Sequence, residues 1–382
     1  MDNRKNNEKG METMLKIAVL GAGNAGTALA AALSRNGHEV TLVKTSRAAH
    51  EEEFAFLAAC GGRVTLTENG AQTTAAIACV TRELSCVRGK DLIVFCVRSD
   101  HHEDLILRVA PFLSDGQLLL FIPGYLSTAY VLKHCQRDVT VAEAQSAFLD
   151  CRLTAPGEIA VGFRNVRDPV GVFPAERKAD AAAVLDQMGF PLTYCRSVLE
   201  AALHNPNMIV HPVGALLSLP RIESGDRDFC LYHEAFTPSV WRVLEALDAE
   251  KRAVLSALGL PPVSYTAACK YRNTLDGTAD GKRVFFDYAA MPVRAKGPFS
   301  AEHRYLTEDV PQGLALLESL GGLLGVPTPV CTSLIALASA ALGRDLRSDA
   351  RTVEGLGPDN VARIVSELTD SKKAGSSRFF VG

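Results

Sequence analysis

Residues 15–43 read LKIAVLGAGNAGTALAAALSRNGHEVTLV, and the order of their textures decides the fold. Leu15–Leu20 is a short apolar run of β-forming residues closed by Gly21. Between Ala25 and Asn36, Ala28, Leu29, Ala32 and Leu33 recur at helical spacing on one face, and Gly37 stops the pattern. Glu39–Val43 then forms a second strand. Strand, glycine turn, helix and strand within about thirty residues make a βαβ unit, whose parallel pairing requires a right-handed crossover.

Outward from that unit, the runs Leu92–Val97, Leu118–Ile122, Val139–Ala142 and Pro169–Phe173 are nearly continuous in apolar residues, as expected of buried parallel strands. Helical patterns such as Glu103–Phe112 and Ala175–Met188 lie between them. Residues 14–196 therefore read as an α/β domain, a Rossmann-type doubly wound sheet. After Tyr194 the texture becomes helical, with patterns at Leu199–Leu217, Thr237–Leu258, Val310–Leu324 and Cys331–Leu342. A mostly α-helical C-terminal domain is expected over residues 197–382. Residues 1–13 read as a disordered leader, and the tail from Ser371 to Gly382 as loosely ordered.

The composition fits such a two-domain enzyme-sized chain. In 382 residues, 47% hydrophobic content supplies ample core, which excludes a disordered or fibrous protein. Forty Lys+Arg against 43 Asp+Glu leave a formal charge of -3, so no nucleic-acid partner is expected. The ten cysteines form no C-x-x-C pair and several sit inside apolar runs, the usage of reduced thiols in a cytoplasmic protein. Met1–Gly10 lacks the apolar stretch of a signal peptide. No apolar run approaches the roughly eighteen residues of a membrane span, so no membrane partner is expected either. A homodimer stays open.

Gly21-Ala22-Gly23-Asn24-Ala25-Gly26 is G-x-G-x-x-G in the required context, after a strand and opening a helix. Gly21 permits the tight turn, Gly23 lets the backbone approach a pyrophosphate, and Gly26 lets helix and sheet pack closely. The amides at the helix start, from Asn24 and Ala25 onward, would face the anion. The end of the second strand reports which dinucleotide. A carboxylate there would bind a ribose 2′-hydroxyl, but this chain has Lys44-Thr45-Ser46-Arg47 and no acid until Glu51. Two cations and two hydroxyls suit a 2′-phosphate, so NADP(H) is preferred, with NAD(H) left open.

Several stretches together resemble the octopine/nopaline (opine) dehydrogenase family. They are the glycine turn, Ala142–Arg152 (AEAQSAFLDCR), Asn207–Pro212 (NMIVHP), Arg304–Pro311 (RYLTEDVP) and Gly325–Pro329 (GVPTP), collinear over about residues 15–360. The resemblance implies a dinucleotide-binding domain followed by a helical one, with the active site between. It implies reductive condensation of an amino acid's amine with a 2-oxo acid, using NAD(P)H. By the family motif His211 is the catalytic histidine, Asp309 its carboxylate partner, Arg304 a substrate-carboxylate binder and Glu143 an acid beside the substrate. His204 and Asn207, from the same segment as His211, stand as further substrate-side candidates.

The chemistry asks for the same residue types. Imine formation needs a proton shuttle near neutral pH, which suits histidine, and a carboxylate to fix its tautomer. Substrate carboxylates match arginine's planar fork. His204 lies seven residues before His211 and would share its helical face, although Pro206 weakens a continuous helix. Arg304 and Asp309 lie five apart, too far for one helical face, so a turn or helix start is expected to present them, with Thr307 as the cap and Pro311 early in the helix that follows. No H-x-x-x-H or H-E-x-x-H spacing occurs, and no metal is expected. Two alternatives keep the architecture: a 2-oxo-acid, ketopantoate-like or glycerol-3-phosphate-like reductase, and a non-catalytic NADP(H) sensor. The segment Val198–Pro212 holds no lysine, which counts against the reductases.

Overall fold

The computed structural model describes residues 14–47 and 49–370, so the expected leader and tail lie outside the described residues. The strands in chain order are β1 (Lys16–Leu20), β2 (Glu39–Val43), β3 (Arg63–Glu68), β4 (Ala71–Ala76), β5 (Cys79–Thr81), β6 (Leu92–Phe95), β7 (Leu118–Phe121), β8 (Thr140–Ala144), β9 (Leu149–Ala155), β10 (Glu158–Arg164), β11 (Asp168–Phe173) and β12 (Leu192–Tyr194). Eight of them form one sheet in the order β12-β11-β8-β7-β6-β1-β2-β5. From β1 the chain steps outward to β2 and then returns to β6 on the other side. The crevice where a ligand meets an open α/β sheet lies at that reversal, beyond the strand ends.

Both faces of this sheet are covered. Ile17, Val19, Val94 and Leu120 pack beneath the helix Asn24–Arg35, whose Ala28, Leu29 and Ala32 are buried. The opposite face, with Leu20, Ile93, Phe95 and Phe121, meets the helix His102–Val109 and then merges with the helical half through Val210, Leu244 and Leu316. This alternation of buried residues on both faces is why the strands read as continuous apolar runs. The expectation for Pro169–Phe173 needs correction. β11 runs antiparallel to β8, because no helical crossover returns the chain to the starting edge; a β9–β10 hairpin intervenes and feeds β11 from the other end.

A second sheet, β4-β3-β10-β9, was not anticipated. Its β3–β4 hairpin turns at Asn69-Gly70, both with positive φ (51° and 78°), the signature of a type I′ turn. β9 lies over the start of the first helix, where Asn24 Oδ1 accepts the Leu153 amide at 2.8 Å.

The helical half is built from Val198–Leu203, Asn207–Leu216, the long helix Pro238–Ala257, Tyr265–Asn273, Gly281–Ala289, Ala315–Leu324 and Pro329–Leu342, with shorter turns between. The expected single helix over 199–217 is two, broken at His204-Asn205-Pro206. Pro206 has no amide to donate and disfavours helical dihedrals at the residue before it.

One side chain joins the two halves from inside. Arg351 is fully buried and donates to the carbonyls of Ser99 (2.7 Å), Gly124 (2.9 Å) and Tyr125, to Ser127 Oγ (3.1 Å) and to Gln312 Oε1 (3.0 Å).

Candidate active site

The glycine turn shows why its residues are glycines. Gly21 sits at φ +121°, and a Cβ there would lie 2.3 Å from the Cys96 carbonyl oxygen. A Cβ on Gly26 would meet the Gly21 carbonyl oxygen at 1.8 Å, so Gly26 is a packing position beneath the turn. Gly23, Asn24 and Ala25 face a cleft of about 810 Å³. The helix opens without a side-chain cap, so its first amides remain available to an anion, as a dinucleotide pyrophosphate requires.

At the end of β2, Lys44, Thr45 and Ser46 line the same cleft. Arg47, the next residue, is exposed and lies outside that lining. Lys44 Nζ donates to the Ser46 carbonyl at 2.7 Å and pairs with Glu51 at 3.5 Å. Two cations that the sequence reading did not single out join this corner. Arg82 donates to the Ser46 carbonyl (3.2 Å) and pairs with Glu51 (2.5 Å), and Arg108 donates to the Thr45 carbonyl (3.3 Å).

Deeper in the cleft, His211 Nδ1 lies 2.8 Å from Asp309 Oδ2 although the residues are 98 positions apart. The helix Asn207–Leu216 carries the histidine, and Asp309 precedes a π-helical turn, Val310–Leu314. Tyr125 Oη donates to the other Asp309 oxygen at 2.9 Å. Since a carboxylate only accepts, Nδ1 carries the proton, and Nε2 accepts from Tyr232 Oη at 3.2 Å. Tyr305 stacks on the imidazole with ring centroids 3.7 Å apart. Burial, with Arg304 and Arg294 nearby, holds the His211 pKa well below its usual value. Burial pushes Asp309 up to about 6, against the pull of Arg304 in the other direction. At neutral pH the dyad is therefore a neutral imidazole beside a mostly ionised carboxylate.

Arg304 opens a one-turn helix, Arg304–Thr307, and lines the cleft. Its cap is His303, whose Nδ1 accepts the Tyr305 amide at 3.4 Å; the turn that follows starts after Asp309 without a side-chain cap, so Thr307 does not cap it as the sequence suggested. Arg304 pairs at 3.4 Å with Glu308, whose other oxygen accepts the Ser99 amide and hydroxyl at 2.9 Å each. Asn207 also faces the cleft.

Two expected substrate contacts are placed elsewhere. Glu143 is fully buried and outside the cleft lining. Its carboxylate accepts the Leu126 and Thr128 amides at 2.7 Å and the Thr128 hydroxyl at 2.6 Å. Tyr125 and Leu126 have φ of 51° and 65°, so this carboxylate pins a left-handed pair that presents Tyr125 to Asp309. His204, beyond the helix break, is buried away from the cleft and held far below its normal pKa, chiefly by burial. The break removes the shared helical face on which its candidacy rested. The sequence reading also missed Tyr232, Tyr305 and the cleft-lining Arg98, Arg152, Arg272 and Arg294. Isolated aromatics and arginines on helices and strands carry no local signature. Among the described residues no group of three or more His, Cys, Asp or Glu gathers to hold a metal, and no helix is long and apolar enough to cross a membrane.

Residues 194–342 match the family model described as NAD/NADP octopine/nopaline dehydrogenase, alpha-helical domain, and residues 17–160 match ketopantoate reductase PanE/ApbA. The chain is 30% identical to an opine dehydrogenase of Arthrobacter sp. (strain 1C) over 352 residues, covering 89% of this chain and 94% of that protein. It is 26% identical to vitopine synthase of Allorhizobium ampelinum, covering 93% and 99%. In structure it is similar to an octopine dehydrogenase solved with NADH and agmatine (TM-score 0.71, 17% identity, 97% and 100% coverage). It is also similar to a yersinopine dehydrogenase with NADP+ bound (TM-score 0.68, 18% identity, 95% and 100% coverage).

Proposed function

This chain belongs to the octopine/nopaline (opine) dehydrogenase family and is an NAD(P)-dependent oxidoreductase, and from that premise we propose that it joins the amine of an amino acid to a 2-oxo acid by reductive condensation. The supporting observation is His211, which lines the same cleft as the uncapped glycine turn and is backed at 2.8 Å by the buried Asp309.

His211 Nε2, neutral and facing the cleft, takes the proton released as the amine nitrogen bonds to the ketone carbon. Asp309 stabilises the imidazolium so formed and keeps its plane and tautomer fixed. The imidazolium returns that proton to the oxygen, giving the carbinolamine, and a second proton, taken up by Nε2 from solvent and passed to the hydroxyl, lets it leave as water and gives the protonated imine. A reduced nicotinamide, when bound, would supply the hydride that turns the protonated imine into a secondary amine. Tyr232, kept protonated because burial raises its pKa, donates to Nε2 in the resting site and must yield to the substrate. Arg304 holds the oxo-acid carboxylate, its orientation set by the anchored Glu308. Arg304 disfavours the imidazolium even with Glu308 beside it. A bound carboxylate adds a second counter-charge, so substrate binding itself raises the His211 pKa toward the working range.

The cofactor reading favours NADP(H). Lys44, Arg82 and Arg108 converge on the Thr45–Ser46 backbone, a cationic corner suited to a 2′-phosphate. Glu51 pairs with Lys44 and Arg82, and Asp104 with Arg108; the Arg108 pair is the most exposed and so the most easily exchanged for a phosphate, which makes Arg108 and the Ser46 hydroxyl the principal phosphate donors.

The experiment is a grid of amino acids against 2-oxo acids, read by NADPH oxidation and product mass. Amine-dependent oxidation with a secondary-amine product is expected. Equal oxidation with a 2-oxo acid alone would assign a simple reductase instead.

A further inference from the structure

Besides Arg304, the cleft is lined by Arg152, Arg272, Arg294 and Lys296. Three of these have a carboxylate. Arg152 and Arg294 share Asp150, and Lys296 pairs with Asp228. Arg272 has none. It is only 6% exposed, yet among the described residues its guanidinium makes neither a side-chain hydrogen bond nor an ion pair. The carboxyl that feels it, Asp168, stands outside ion-pair distance, is hydrogen bonded to Asn165, and is pushed by burial up to about 7. That group is a weak counter-charge. A buried, unanswered guanidinium is costly, and folds keep one where a ligand completes it.

The backbone around Arg272 is fixed. It lies in the last turn of Tyr265–Asn273, a helix capped by Ser264, and its carbonyl accepts the Val166 amide at 2.7 Å. The acids of the cleft are all engaged: Asp150 by two arginines, Glu308 by Arg304, Arg98 and Ser99, and Asp104 by Arg108. No carboxylate is left to receive a basic side chain.

We infer that Arg272 is the docking site for a carboxylate of the amine donor, and that the donor is consequently a neutral or acidic amino acid rather than a basic one. This rests on the condensation proposed above and names its substrate class. The carboxylate is either the donor's own α-carboxylate or one on its side chain, and both meet the guanidinium through the same bidentate chemistry.

Arg272→Gln and Arg272→Lys test it. In Arg272→Gln the donor KM should rise about 10- to 100-fold, with the 2-oxo acid KM and NADPH binding within about threefold of wild type. Arg272→Lys should recover part of the loss. An equal penalty for alanine and glutamate assigns the α-carboxylate; a penalty confined to glutamate assigns the side-chain group. An unchanged donor KM in Arg272→Gln, or wild-type preference for arginine or lysine, overturns the inference. Titration of the NADP+-loaded protein with glutamate and alanine separates this from the reaction itself. If wild type shows no amine-dependent turnover but binds a donor that Arg272→Gln does not, the condensation fails and the Arg272 site stands. Equal binding by both proteins sinks the site.

Discussion

Tyr305 lies nearly flat on His211, its ring 21° from parallel at 3.7 Å, while Asp309 holds the imidazole edge-on at 2.8 Å. Stacking fixes the plane of the base and the carboxylate fixes its proton, so two independent contacts aim Nε2 into the cleft.

Removing that base should therefore affect chemistry and spare the cofactor. His211→Ala is expected to lower kcat by about 10²–10⁴ with NADPH affinity nearly unchanged. Steady-state turnover and NADPH fluorescence titration check it, and near-wild-type turnover would remove His211 from the mechanism.

The dyad also sets a pH limit. Asp309, pushed up to about 6, must be ionised to accept from Nδ1. The kcat/KM should fall about tenfold per unit below an acid limb near pH 6. In Asp309→Asn that limb should vanish with overall turnover reduced. A limb that survives the substitution belongs to another group.

Asp168 carries a stability signature of the same kind away from the base. Its folded pKa is raised to about 7, whereas an unfolded aspartate titrates near 4. Its contribution is fully present below about pH 4 and is lost as pH rises through about 7. Urea melts from pH 5 to 8 should show wild type losing roughly 2–4 kcal/mol relative to Asp168→Asn. Parallel curves would contradict the buried carboxyl.

Gly26 tolerates no methyl group, since the clash at 1.8 Å is with backbone. Gly26→Ala should cost about 1–3 kcal/mol and weaken dinucleotide binding by displacing the turn. Thermal unfolding with and without NADPH gives both numbers.

Arg108 should discriminate between dinucleotides. Arg108→Gln is expected to raise the KM for NADPH about tenfold and leave that for NADH unchanged. The NADPH effect should shrink as salt is added, because Arg108 is largely exposed. Equal effects on both cofactors would place the 2′-phosphate elsewhere.

The sequence made the βαβ unit readable because strand, turn and helix were each determined within 29 consecutive residues, 15–43. The second sheet was missed although Asn69-Gly70 offered a strong hairpin signal; β3 and β4 are polar on one face and did not look like core strands. His211, Asp309 and Arg304 were reached through motif likeness, since no local rule joins residues 98 apart. Glu143 was assigned to the substrate through the family motif, and His204 through its spacing from His211. Folding turned one into the support of a loop and set the other behind a proline break. Arg272 gave no sign at all, because what distinguishes it is the missing partner, a property only the folded chain has.

Arg351 spans the two lobes with five hydrogen bonds, reaching the stretch that carries Ser99 and the loop that carries Tyr125. It acts as a bolt behind the His211–Asp309 pair, so wide hinge opening would have to break all of these contacts together. Movement that admits and releases ligands is therefore expected in side chains such as Tyr232 and at the outer rim, while the backbone at Ser99, Gly124 and Tyr125 stays tied to Arg351.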